Sequence, residues 1–301
     1  MRRKLKLLLK IFLIFLVTCA CIALGFKTRY DNGIVITQFE PQLTRSMGYM
    51  LESKENKIVI IDGGLPEDAK HVEKAILNKG GIVEAWFITH LHDDHAGTLI
   101  EIIESDKVQI NNIYVSLNSE EWYMSYEDDN RKEFAQKFLE TLDKEEIRDK
   151  VQEVSLRQEF IIDNLNFKIL KIKSPEYIGK NLGNNQSMVI KVSNNFKNVL
   201  FLGDLGEEVE EEFLNNNYDE IKSYSVQVSH HGQAGVTKRI YEAIDPTICF
   251  WPTPEWLWNN DPGDGSSNGP WKTLETRAWI NEIGVEENYV AKDGDITVRI
   301  W

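Results

Sequence analysis

Cysteine is scarce, three in 301 residues, and that excludes a disulfide-dense scaffold. Cys19 and Cys21 lie in an N-terminal apolar run and Cys249 stands alone, so no cysteine-based zinc ribbon can be assembled. Positive charge is also in deficit. The chain has 34 Lys and Arg against 48 Asp and Glu, a net −14. Five of those bases fall in the first ten residues, which contain no acid, so the remainder carries −19. Such a surface repels polyanions. It lacks the clustered Lys and Arg of a broad nucleic-acid face, although a phosphate ester held locally at a metal is not excluded. No repeat or low-complexity tract is visible. Hydrophobic residues at 42% and charged residues at 27% are ordinary globular composition, and the length suffices for a substantial core.

The N-terminus has a basic segment, residues 1–10, followed by an uncharged run over 11–26. This pattern reads as a signal peptide or uncleaved membrane anchor over residues 1–27. Lys10 is able to snorkel, and the upstream bases place the N-terminus inside. Ala23-Leu24-Gly25 offers a small-x-small cleavage site. Residues 28–301 are then an extracytoplasmic body, membrane-anchored or secreted. The competing reading is a buried core helix.

From residue 33 the chain alternates strand-like and helix-like segments. Short β-rich runs cover 34–39, 48–52 and 57–61. A helix is expected over 65–78, with Pro66 in its first turn. Further strands are expected at 82–89, 108–116, 160–172 (two, with an Asp-Asn turn), 187–192, 198–202, 225–228, 247–251 and 296–301. Helices are expected at 98–104, 207–215, 237–243 and 272–283. Residues 128–151 read as a charged helical excursion, which extended to 153 is either a solvated insert or a lid. The mixture implies a layered α/β architecture.

Five of the six histidines fall in two short clusters. The first is Thr89-His90-Leu91-His92-Asp93-Asp94-His95-Ala96-Gly97, after a buried strand and before a helix. His90 and His92 alternate, so on extended backbone both point the same way. Asp94 and His95 follow in the turn toward the helix. Three imidazoles and a carboxylate within six residues suit zinc, with manganese or iron as alternatives. The second cluster is Ser229-His230-His231-Gly232, after another strand. The sixth, His71, reads as a solvated helix-face residue. Asp62 and Asp204 each close an apolar strand beside glycines. Next to a metal cluster, such carboxylates serve as ligands or as ligand-orienting groups.

In this order these motifs resemble the metallo-β-lactamase superfamily, over about residues 33–301. The resemblance implies an αββα sandwich with a two-metal site along one edge. His90-x-His92-x-Asp94-His95 matches the signature, and Asp62 the preceding motif that supports the metal loop. Asp204 matches the bridging aspartate, and His230-His231 the final histidine motif. On this reading His90 and His92 hold one metal. Asp94, His95 and one later histidine, His231 in preference, hold the other. His230 is then a neighbouring or substrate contact. One departure matters: no histidine lies between His95 and Asp204. Asn184-Asn185-Gln186-Ser187 stands there instead. That stretch is similar to ComEC-type competence proteins and to phosphorylcholine-esterase-like branches, with Asn184 and Ser187 at the matching positions.

The expected function is a metal-dependent hydrolase with two divalent ions, zinc or else manganese. A hydroxide carried between the metals would attack, most readily on a small-molecule or polymer phosphodiester. Asp94, Asp204, Ser187 and His230 are the candidate catalytic residues. The alternatives are hydrolysis of a carboxylic ester or lactam, and a non-catalytic binding protein with a vestigial site. Trp251, Trp256, Trp258 and Trp271, in or beside a Gly/Asn/Asp-rich loop, form either a substrate wall or a satellite cluster on the sandwich.

Overall fold

A computed structural model gives the fold. It describes residues 2–301, with the side chains of residues 2–9, 29 and 31 excepted; the basic side chains at 2, 3, 4 and 6 therefore lie outside the described residues. Seven strands open the first sheet: β1 (Ile34–Gln38), β2 (Gly48–Glu52), β3 (Ile58–Asp62), β4 (Ile82–Phe87), β5 (Gln109–Ile110), β6 (Ile113–Val115) and β7 (Val151–Glu153). The second sheet takes β8 (Glu159–Ile162), β9 (Leu165–Lys171), β10 (Val189–Ser193), β11 (Asn198–Phe201), β12 (Ser225–Gln227), β13 (Ile248–Trp251) and β14 (Glu287–Val290). Strand β15 (Ile296–Ile300) returns to pair antiparallel with β1. The sheet orders are β15-β1-β2-β3-β4-β6-β7, with β5 on β4, and β14-β13-β12-β11-β10-β9-β8.

The helices are α1 (Arg2–Asp31), α2 (Ala69–Leu77), α3 (Asp93–Ser105), α4 (Glu120–Tyr126), α5 (Asp129–Leu142), α6 (Glu145–Arg148), α7 (Glu210–Asn217), α8 (Lys238–Ile244), α9 (Glu255–Trp258) and α10 (Thr273–Ile283). Strand alternation divides the apolar residues between layers. Ile58 and Ile60 of β3 pack with Val72, Leu99 and Phe138, from α2, α3 and α5. Val59 and Ile61 face the interior between the sheets, with Tyr49, Phe87, Phe167, Phe201 and Phe250. On the far side, Leu200 and Val226 meet Phe213, Ile240 and Ile280, from α7, α8 and α10. This is the expected αββα sandwich.

Several expected boundaries move. The first histidine cluster leads directly into α3, which starts at Asp93 after an extended His92 (φ −111°, ψ 151°). Asp94 and His95 therefore occupy the first helical turn rather than a preceding loop. Two acids there also suit the helix dipole. The strand expected over 108–116 breaks into β5 and β6 at Asn111 and Asn112. The excursion at 128–153 is not a solvated insert: Ala135 and Phe138 of α5 are fully buried in the core. His71 is not simply solvated, since its Nε2 sits 2.8 Å from Asp295 Oδ1. Strand β14 and helix α4 had no clear sequence signal.

Helix α1 contains one segment long and apolar enough to cross a membrane, Lys10–Thr28, with mean hydropathy 2.2 and none of it buried. Its exposure is at odds with the core-helix reading, and its length and composition are those of a signal peptide or an anchor. The helix runs past residue 27 to Asp31. At its end Phe26 and Tyr30 meet Trp301 edge-on, with centroids 6.4 and 5.9 Å away.

Candidate metal centre

Parallel strands bring the site together. The chain leaving β4 carries Thr89 to His95, that leaving β11 carries Asp204, and that leaving β12 carries His230 and His231. Pairing β3–β4 and β11–β12–β13 is parallel, so these strand ends share one edge of the sandwich. Asp62 ends β3 at φ +59°, and Gly63 and Gly64 continue the turn at φ +150° and +104°. Glycine is needed at 64 for space as well: a Cβ there would lie 2.2 Å from Ser46 Oγ. His230 and His231 both adopt left-handed backbone, φ +50° and +52°. That costs a non-glycine residue about 1 kcal/mol or more and is typical of sites where function fixes geometry.

Two donor sets have ligand atoms within 4.8 Å of one another: His90, His95 and Asp204, and Asp94, His95 and His231. His90 Nε2 also lies 3.0 Å from His92 Nδ1. His95 Nε2 is 3.3 Å from Asp204 Oδ1, and His231 Nε2 is 3.3 Å from Asp94 Oδ2 and 3.5 Å from Asp204 Oδ2. The second ring nitrogens of His95, His231 and His90 are held. His95 Nδ1 donates to Asp62 Oδ2 at 2.9 Å. His231 Nδ1 donates to the Pro252 carbonyl at 2.9 Å. His90 Nδ1 lies 3.2 and 3.3 Å from the Thr89 and Ser187 hydroxyls. Asp62 also accepts from the Thr89 amide and hydroxyl, at 2.7 and 2.9 Å, so it anchors the loop and one imidazole together.

His95 Nε2, His231 Nε2 and Asp204 Oδ1 are buried without a hydrogen-bond partner. Leaving such atoms unpaired costs about 1–3 kcal/mol each, and divalent cations in the two donor sets would satisfy them. Imidazole and carboxylate are the donors that zinc, manganese and iron accept. Burial alone would push the Asp94 and Asp204 carboxyls up. The surrounding His95 and His231 outweigh it and hold both well below the usual range. Burial, helped by His95 and His92, keeps His90 well below its ordinary value and hence neutral, the form that can ligate a metal.

The other expected residues surround this core. His230 donates from Nδ1 to the Ala234 carbonyl and accepts from Asn184 Nδ2, at 3.3 and 3.2 Å. Its Nε2 is 3.7 Å from Asp204 Oδ2, outside both donor sets. Ser187 is fully buried and accepts from the Asp204 amide at 3.0 Å. It lies beneath His90 and does not line the cavity. The four tryptophans pair among themselves, Trp251 with Trp258 and Trp256 with Trp271. Trp251 backs the His230–Gly232 turn, where a Cβ on Gly232 would meet its ring at 2.8 Å. None lines the cavity beside the donors. They form the satellite cluster, not the wall.

That cavity, about 450 Å³, is lined by Arg45, Glu127, Arg131, Asn184, His230 and Gln233 among others. Arg45, Glu127 and Arg131 had no motif to announce them. Arg45 Nε donates to Asp94 Oδ2 at 2.9 Å. Glu127 Oε1 is 3.7 Å from His92 Nε2 and Glu127 Oε2 is 3.6 Å from Arg131. The only sequence hint was the charge of the excursion at 128–153, which holds Arg131 and begins one residue after Glu127.

The profile of the metallo-beta-lactamase superfamily matches residues 44–250. The chain belongs to that superfamily. Its members are in general metallo-hydrolases. Among solved structures, the metallo-beta-lactamase fold protein YhfI from Bacillus subtilis is similar at 12% identity and TM-score 0.51, over 89% of this chain and 99% of that one. CmlA, a diiron beta-hydroxylase from Streptomyces venezuelae, is similar at 10% identity and TM-score 0.54, over 89% of this chain. The match covers 54% of CmlA, so this superfamily member spans about half its length. At these identities the likeness is one of fold. No curated protein matches the sequence.

Proposed function

We propose that this superfamily member hydrolyses phosphodiesters outside the cytoplasmic membrane, with residues 1–27 as signal or anchor and residues 28–301 as the enzyme. The observation that carries the reading is a set of buried, unpartnered metal donors beside a cavity lined by two guanidinium groups, Arg45 and Arg131, of which Arg45 donates to the donor Asp94. His90 and His92 would hold one divalent ion and Asp94, His95 and His231 the other, with Asp204 between them. Zinc is the first choice, manganese the second. When bound, such ions lower the pKa of water to about 7 and stabilise charge on phosphoryl oxygens.

The chain's own groups supply the rest. Arg45, held by Asp94 at one nitrogen, turns its remaining donors to the cavity, where guanidinium matches phosphate geometry. On a chain of net charge −14, two guanidinium groups confined to one cavity favour a small diester or one accessible linkage of a polymer over a long nucleic acid. His230, partly buried at the cavity wall and held in one tautomer by the Ala234 carbonyl, would contact substrate and accept a proton at Nε2. Ser187 would act through His90 and the Asp204 amide rather than on substrate. An amide and a hydroxyl, Asn184 and Ser187, stand where a further histidine is absent. That supports the ComEC-type and phosphorylcholine-esterase-like branch over lactam hydrolysis.

The test is metal content of protein purified without chelator, with hydrolysis of bis(p-nitrophenyl) phosphate on the same sample. About two ions per chain and chelator-sensitive turnover are expected. Absence of turnover after zinc and manganese are restored separately would overturn the reading.

A further inference from the structure

We propose that Glu127 is a positioning residue for His92, accepting the His92 Nε2 proton and so fixing the tautomer that turns Nδ1 toward His90. The proposal rests on the metal-site reading above.

Every imidazole of the two donor sets has its second nitrogen held, whereas His92, which reaches the centre only through His90, stands in neither set. Asp62 holds His95, the Pro252 carbonyl holds His231, and Thr89 and Ser187 flank His90. For His92 the facing group is Glu127. His92 Nε2 and Glu127 Oε1 are both buried and lack any hydrogen-bond partner. They stand 3.7 Å apart with side chains 3% and 4% exposed. Two isolated polar atoms facing each other in a buried site are each other's natural partner, and a few tenths of an ångström of closure would make the bond.

The carboxylate is also built into place. Glu127 is the first of the two residues between α4 and α5. Its amide donates to the Tyr123 carbonyl at 3.1 Å, closing α4. The next residue, Asp128, caps α5 by accepting from the Arg131 amide at 3.1 Å. Arg131 lies 3.6 Å from Glu127 Oε2, which leaves Oε1 for His92. Gly183 covers the pair. A Cβ at 183 would sit 2.3 Å from both Glu127 Oε1 and His92 Nε2, so the absence of a side chain there gives the pair its room. A carboxylate behind a ligating histidine fixes the ring and raises its basicity, and loss of such a partner typically costs about 10–100-fold in metal affinity. The helical excursion thereby becomes part of the metal centre.

The test uses the full-length protein in detergent, stripped of metal and titrated with zinc against a chromophoric chelator, with the cobalt(II) absorption spectrum as second readout. Glu127→Ala is expected to weaken one zinc by about 10–100-fold and to shift the cobalt bands. Glu127→Gln, which keeps an acceptor but loses the charge, is expected between wild type and Glu127→Ala, with the metal-free melting temperature of wild type. Wild-type zinc affinity and cobalt spectrum in Glu127→Ala would overturn the proposal. So would a Glu127→Gln whose metal-free form is destabilised in proportion to its lost affinity, because that marks a purely structural role. If Glu127→Ala does not fold, the isosteric Glu127→Gln decides alone. Failure of the wild type itself to bind zinc would overturn the metal reading, and is distinguished by needing no variant.

Discussion

His230 and His231 are neighbours with opposite placements, and the reason is local backbone. Left-handed φ at both residues turns His231 inward, where Pro252 orients it, and leaves His230 on the cavity wall. His231→Ala is expected to lose metal, while His230→Ala keeps its metal and loses turnover by about 10²-fold or more, the scale of one acid–base group. Metal analysis beside steady-state rates checks this; equal metal loss in both variants would refute the division. Asp204→Ala is expected to drop the protein below two ions per chain, since its two oxygens face different imidazoles. Retention of two would remove Asp204 from the bridging position. The first histidine cluster was legible because four donors lie within six residues. Arg45 and Glu127 were not, because each is a single charged residue far along the chain from what it touches.

At the scale of elements, two joints carry the site. Helix α3 crosses the turn after β3 at Gly97, where a Cβ would lie 2.3 Å from Pro66 Cδ and 2.6 Å from Pro66 N. Gly97→Ala must push backbone apart and is expected to destabilise by about 1–3 kcal/mol, read as a lower urea midpoint; an unchanged midpoint would show that the crossing yields. The other joint is Lys171, at the end of β9, whose ammonium donates to the Ile172 and Asn185 carbonyls at 3.0 and 2.7 Å. It ties the Asn184–Gln186 turn to the sheet. Burial lowers its pKa from 10.5 to about 8. Between those values the unfolded chain binds the proton that the folded chain has released, so stability rises with pH from about 8 toward 10.5. Wild type should therefore gain stability relative to Lys171→Met over that window in urea titrations. Parallel pH profiles would contradict it. Periodicity found most of these elements, but it placed the start of α3 five residues late, because His-Asp-Asp-His reads as a polar turn until the helix is seen to begin on it.

For the whole molecule, among the described residues α1 meets the sandwich at Phe26, Tyr30 and the strand-end residues they touch. Residues 28–301 are expected to fold without it and to keep the metal content of the full chain. An aggregated or metal-free truncation would show that α1 is part of the folded unit. Stripping metal should lower the melting temperature in a way that depends on the concentration of metal restored, because ligand that binds only the folded state stabilises it by mass action. A melting temperature indifferent to chelator and to added zinc would speak against any ion in these donor sets.

Sequence by itself determined a layered α/β architecture, the histidine and aspartate motifs and the apolar N-terminal run; the αββα order was implied only by the resemblance those motifs carry. These are carried by short-range pattern: alternation in strands, spacing of ligands, and an uncharged run. The tertiary structure alone decided which nitrogen of each imidazole faces the centre, that Ser187 lies behind His90, and that the tryptophans support rather than line the site. It also decided that Arg45 and Glu127 belong to the centre. Those facts depend on contacts between residues tens of positions apart, brought together only when parallel strand ends meet along one edge of two packed sheets.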